Sequence, residues 1–230
     1  MKLYYARNSR AVRVAWLLEE LGLSYEIESF ELGSSDMRSD TYRALHPMGR
    51  VPTLVDGDIT LYESGAILQY LLAKYGAGKF IPDINSAAFA VNLQWFHYAE
   101  GMIMPPMNTI VVETILLPPE RRNEVNVKRA TKLLGQMLTS VEQQLEGKTF
   151  LLGEHLLAAD FMTGHAVIMA KRLGADVLNL EVNTSSRKKG ESILDMIYTL
   201  EAMQVDVFVV RDAEAGVPAF IARNVSENVS

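Results

Sequence analysis

The chain has 230 residues, 49% of them hydrophobic and 22% charged, with a formal net charge of −6. That length is enough for one or two domains with a real core, and the mild acidity argues against nucleic acid or an anionic membrane as a partner bound through bulk charge. The absence of cysteine excludes disulfides, a CxxC redox motif, thiolate metal sites and a cysteine nucleophile.

In chain order, Lys2 to Tyr5 is a short apolar run that reads as a buried strand. In RNSRAVRVAWLLEELG, Val12, Trp16, Leu17 and Leu21 fall at helical spacing, Gly22 suits a C-cap, and Asn8 or Ser9 suits the start. Tyr25 to Phe30 reads as a second strand, and Gly33 to Leu45 as loop plus a short helix. Val51 to Val55 and Ile59 to Tyr62 flank Asp56-Gly57-Asp58, a hairpin signal. Glu63-Ser64 then precedes a helical pattern at Ala66, Ile67, Tyr70 and Leu71, with Ser64 as its expected cap. The order strand, helix, strand, strand, strand, helix is that of a small α/β domain over residues 1–80.

Ile81 to Ser86 reads as a linker. Beyond it an all-α domain is expected over 87–176. One helix from Leu93 to Met104 ends at Pro105-Pro106. A second runs from about Pro118 to Leu145, with Val127, Leu134, Met137, Leu138, Val141 and Leu145 on one face. A third, Leu156 to Leu173, is apolar enough to need burial on most sides. After Ala175 the texture changes to a β-α-β-α rhythm, VLNLEVN, GESILDMIYTLEAM, VDVFVVR and GVPAFIARN, which favours parallel pairing and sets 177–230 apart. No apolar run reaches the roughly 18 residues of a membrane span. The start, MKLYYARNSRAVRVAW, has no signal-peptide apolar core, so a cytoplasmic protein is expected.

HPMGRVPTLVDGDITLYESGAILQYL resembles the glutathione-binding half of the glutathione transferase family. The start KLYYARNSRAVRVAWLLEELGLSYE agrees with it. LQWFHYAEGMIMPPM and FLLGEHLLAADFMTGHAVIMAKRLGAD resemble the first and the buried central helix of that family's second domain. The resemblance spans about residues 1–176. It implies a thioredoxin-like N-terminal domain and a helical C-terminal one, here truncated. It also implies glutathione as substrate with no metal, a small electrophile as second substrate, and a homodimer active in detoxification.

Site roles follow by the same resemblance. Pro52 is expected to be cis, turning the N–H and C=O of Val51 towards the cysteinyl backbone of glutathione. Ser64, at a helix N-terminus, suits the γ-glutamyl carboxylate. Glu63 suits the ammonium, and Arg50 or His46 the glycyl carboxylate. The family's thiol-activating hydroxyl aligns near Ala6, which has no donor, so the expectation moves to Ser9, the nearest hydroxyl. Tyr98, Met102 and Met104 are candidate walls of the acceptor pocket. Asp160 resembles the family's capping aspartate, with Leu157 where a Ser or Thr is expected, so half the capping box is missing. His155 and His165 show no ligand spacing with Asp160 and read as structural.

KRLGADVLNLEVNTSSRKKGESILDMIYTLEAMQVDVFVVRDAEAGVPAFIARN resembles a different family, the carbamoyl-phosphate-binding half of aspartate carbamoyltransferase. The resemblance gives Ser186 and Lys189 the loop roles of that family, but its phosphate loop and second domain have no counterpart here. The whole therefore reads as a chimera. Three functions stay open: a glutathione transferase, a non-catalytic binding module of that family, and a carbamoyltransferase-related chimera without activity of its own.

Overall fold

A computed structural model describes residues 1–173. The β-α-β-α segment expected after Ala175, with Ser186 and Lys189, lies outside them.

The N-terminal part is a four-stranded mixed sheet in the order β2-β1-β3-β4. Strand β1 (Lys2–Ala6) leads through α1 (Ala11–Leu21) to β2 (Glu26–Phe30), which pairs parallel to β1. A parallel return needs a crossover, and α1 supplies it. Gly22 ends α1 at φ 66°, a left-handed turn that glycine adopts without a Cβ clash. The segment after β2 forms a 3₁₀ turn at Asp36–Arg38 and the short helix α2 (Asp40–Arg43), which Ser39 caps by accepting from the Tyr42 N–H. Strands β3 (Thr53–Asp56) and β4 (Ile59–Tyr62) then form the hairpin expected around Gly57, and Glu63 alone separates β4 from α3 (Ser64–Tyr75). Leu3, Val14, Leu17, Leu54, Ile67 and Leu71, from both layers, are completely buried.

The helical part begins at α4 (Ala87–Tyr98), capped by Ser86. The expected stop at Pro105-Pro106 is not there. A π-helical turn, Ala99–Ile103, carries α4 into α5 (Met104–Val111). The prolines sit in the first turn of α5, where missing N–H groups cost little, and the wider turn before them absorbs the change in bonding. A second π turn, Val112–Leu116, and a 3₁₀ turn, Pro119–Arg121, precede α6 (Glu124–Leu145). Helix α6 thus starts later than the pattern predicts, at the Asn123 cap. Ala130, Leu134, Leu138 and Val141 form its buried face.

Helix α7 (Ala158–Arg172) is buried around most of its circumference, as its apolar sequence requires. Asp160 accepts from the Leu157 N–H at 2.8 Å and the Leu151 N–H at 2.9 Å, so the aspartate half of the capping box is made. Leucine has no side-chain acceptor for the other half. Two distant groups stand in: the Phe80 carbonyl accepts from Ala158 at 2.8 Å, and Asn92 Oδ1 accepts from Ala159 at 3.1 Å. The open helix end is thereby tied to α4 and to the linker instead of to its own cap.

Candidate functional site

The expected glutathione-binding residues gather at one end of the β3–β4 hairpin. Thr53 pairs with Tyr62, and continuing that antiparallel register outward by two residues brings Val51 and Ser64 to the same end. The Val51–Pro52 peptide is cis, as the resemblance implies, and both residues precede the ladder, which begins at Thr53. Pro52 is buried and Val51 half-buried.

The loop that delivers them is fixed from below. The Tyr42 hydroxyl donates to the Arg50 carbonyl at 2.5 Å and lies 3.0 Å from Thr53 Oγ1. Gly49 sits at φ 57°, where an added Cβ would meet the Met37 carbonyl oxygen at 2.2 Å. Only glycine lets the loop lie this close to the 3₁₀ turn.

The two candidates for the glycyl carboxylate separate. Arg50 is exposed. His46 is only 6% exposed, its Nδ1 accepts from the Met48 N–H at 3.2 Å, and its ring lies tilted against Tyr62 with centroids 4.7 Å apart. Burial lowers its pKa, so it favours the neutral form.

Glu63 is exposed and holds φ 75°, ψ 108°, a conformation that non-glycine residues rarely adopt. Strain of this kind collects at functional positions. Ser64 is the first residue of α3, but its hydroxyl does not cap the helix as expected. Its Oγ accepts from Arg13 Nη1 at 3.2 Å.

Arg13 is the residue bonded to Ser64 that the sequence did not single out. It lies on α1 with its side chain fully buried, and pairs with Glu100 from the π turn after α4. Its Nε donates to His165 Nδ1 at 3.1 Å, and Nη2 has no hydrogen-bond partner among the described residues. Arg10 Nε reaches both oxygens of the same Glu100 carboxylate at 2.9 Å. Burial alone would raise the Glu100 pKa, but Arg13 and then Arg10 hold it below the usual carboxylate value. Burial, reinforced by the same two cations, drives His165 down to about 3, so it is neutral. A signal existed: Arg13 falls among Ala11, Val14, Leu17 and Leu18 on the buried face of α1, where a charge is out of place.

The remaining candidates fall elsewhere. The Ser9 hydroxyl donates to the Ala6 carbonyl at 2.6 Å and accepts from the Ala11 N–H at 3.1 Å, so both of its functions serve the turn into α1. Tyr98 lies tilted against Trp95 and donates to the Met137 carbonyl at 3.2 Å. Met102 is 42% exposed, whereas Met104 is buried in the core. His155 is exposed, and no group of residues fit to hold a metal occurs among the described residues.

A thioredoxin-like sheet with a cis-proline at the mouth of β3, joined to a helical part around a buried central helix, defines a class that comparison with known proteins names. Residues 1–73 match the glutathione S-transferase N-terminal domain. The chain is 30% identical over 174 residues to glutathione S-transferase 3 of Zea mays, covering 74% of this chain and 77% of the maize protein. Among solved structures it is similar to a glutathione S-transferase from Actinobacillus pleuropneumoniae, with 28% identity, 88% and 91% of the two chains covered and a TM-score of 0.66. It is also similar to a theta-class enzyme from Xanthomonas axonopodis with glutathione bound, at 25% identity, 88% and 94% coverage and a TM-score of 0.64. The chain belongs to the glutathione S-transferase family.

Proposed function

We propose that this protein binds glutathione along the Val51–Ser64 end of the hairpin and directs its thiolate at a small electrophile. The observation that carries the reading is the cis Val51–Pro52 edge, outside the sheet's ladder, beside Ser64 at the start of α3. In this reading the N–H and C=O of Val51 pair with the cysteinyl backbone, as a strand edge pairs with an extended peptide. Ser64 and the α3 N-terminus take the γ-glutamyl carboxylate. Glu63 takes the ammonium, and Arg50, exposed where His46 is buried and neutral, takes the glycyl carboxylate. His46 then serves as a buttress under Tyr62. Glutathione bound in the Xanthomonas relative supports the choice of ligand.

Ser9 keeps the thiol-activating role on one condition: its O–H must turn from the Ala6 carbonyl to the bound sulfur. A hydroxyl rotates freely enough to do so, and its hydrogen bond would favour the thiolate. Titrating the bound thiol in Ser9→Ala decides the matter. A raised thiol pKa supports the role, and an unchanged one leaves Ser9 to the turn. Of the three acceptor-pocket candidates, Met102 offers exposed apolar surface and Tyr98 is half-buried. The same reading keeps the division at 1–80, 87–176 and 177–230, a chimeric C-terminal segment, and a cytoplasmic homodimer.

Calorimetric titration with glutathione, followed by conjugation of a generic aryl halide, tests the whole. Binding with turnover supports the transferase. Binding without turnover supports the non-catalytic module, which Ala6 and the commitment of the Ser9 proton favour. No binding removes both.

A further inference from the structure

We infer that Arg13 is a positioning residue for the anion subsite, acting through the Ser64 hydroxyl: a fully buried guanidinium occupies the acceptor side of Ser64 and leaves its single proton for a ligand carboxylate. The inference rests on the glutathione reading and adds to it a residue with no contact to the ligand.

A serine hydroxyl has one proton to give and two lone pairs to receive with. Arg13 Nη1 donates to Ser64 Oγ at 3.2 Å, and the Ser64 proton has no acceptor among the described residues. Ser64 is itself only 3% exposed, so an unused donor there is costly unless something arrives to accept it. A cation bonded to the oxygen also makes the O–H a stronger donor.

The charge count points the same way. Two guanidiniums, Arg10 and Arg13, share the one Glu100 carboxylate, and the adjoining His165 is neutral. The cluster therefore carries one net positive charge, and within it Arg13 Nη2 is buried with no hydrogen-bond partner among the described residues. Water screens such a charge poorly, so an anion at the neighbouring helix start feels it. The exposed carboxylate of Glu63 stands next in the chain. A donor hydroxyl backed by a buried cation, beside an acidic side chain, matches a free α-amino-acid head group: carboxylate to Ser64, ammonium to Glu63.

Arg13 also reaches across the fold. It sits on α1 and touches Ser64 on α3, Glu100 after α4, and Met162 and His165 on α7. A purely structural bolt would have these contacts too, so the test must separate the two roles.

The experiment is calorimetric titration of the full chain with S-hexyl glutathione, whose alkyl group adds affinity away from the head group. Four proteins are compared: unsubstituted, Arg13→Met, Ser64→Ala and the double variant. Methionine fills similar volume, and Glu100 keeps Arg10, so no lone carboxylate is buried. Expected is about a tenfold weakening for each single variant, with the double variant no weaker than Ser64→Ala, because the effect of Arg13 passes through that hydroxyl. Arg13→Lys, which keeps the charge, should lie between Arg13→Met and the unsubstituted chain. Equal affinity of the unsubstituted chain and Arg13→Met overturns the inference. So does a double variant weaker by the product of the two effects, which is the mark of a structural bolt. If Arg13→Met does not fold, Arg13→Lys takes its place in the same cycle. Failure of the unsubstituted chain to bind overturns the glutathione reading itself.

Discussion

The hairpin end and the buried charge cluster meet at Ser64 but are built in opposite ways. From Gly49 to Glu63 the chain uses backbone geometry: a glycine that admits a close approach, a cis-proline and a strained glutamate, all within fifteen residues or so of one another. The cluster of Arg10, Arg13, Glu100 and His165 uses side chains drawn from three helices, with bonded partners up to 152 residues apart in sequence. The first is set by backbone geometry; the second holds charge, with Arg13 and His165 buried and Arg10 and Glu100 partly exposed. Breaking the first should change binding more than stability, and breaking the second should change stability first.

The largest effect is expected from Glu100→Ala. It leaves a fully buried Arg13 without its carboxylate, and such a loss costs about 3–5 kcal/mol. Denaturant unfolding should show a midpoint lowered accordingly. Gly49→Ala comes next. The new Cβ meets a backbone carbonyl in a left-handed conformation, and about 2–3 kcal/mol should be lost. Glutathione affinity should fall with it, because the Arg50–Pro52 strand entry must shift.

The third prediction concerns pH. His165 titrates near 3 when folded and near its ordinary 6.5 when unfolded, so unfolding takes up a proton between those values. Its contribution is complete above about pH 6.5 and is lost as pH falls towards 3, by up to about 1.4 kcal/mol per pH unit. His165→Gln should flatten that part of the stability profile, even if its stability at neutral pH is lower. An unchanged slope would show that the imidazole is not held neutral. The smallest expected effect is a gain. Glu63→Gly relieves the positive φ and should add about 1 kcal/mol of stability while weakening glutathione binding. That opposition of signs would mark the hairpin end as shaped for a ligand.

The same contrast explains how much the sequence revealed. Gly22 and the Gly57 hairpin were legible because each is fixed by neighbours within a few residues, whereas the cis Val51–Pro52 peptide and the α7 capping aspartate were implied by the family resemblance. The stop expected at Pro105-Pro106 failed because two prolines in a row break a helix only from its interior. The π turn before them makes them a helix start. The cap expected of Ser64 failed because a long-range partner, Arg13, claimed its oxygen. Leu157 looked like a missing cap because its substitutes, Phe80 and Asn92, lie 65 or more residues away. Met104 carried the composition of a pocket wall but faces the core. Local chemistry can be read from local sequence; a buried charge cluster declares itself only as an arginine on an apolar face.

The most direct test of the hairpin end as a glutathione cradle is an amide nitrogen–proton correlation spectrum recorded during titration with the tripeptide. The backbone amides of Val51 and Ser64 should shift together, saturate at one common concentration and gain protection from exchange. If those two signals stay still while others move, the tripeptide binds elsewhere and the proposed site is wrong.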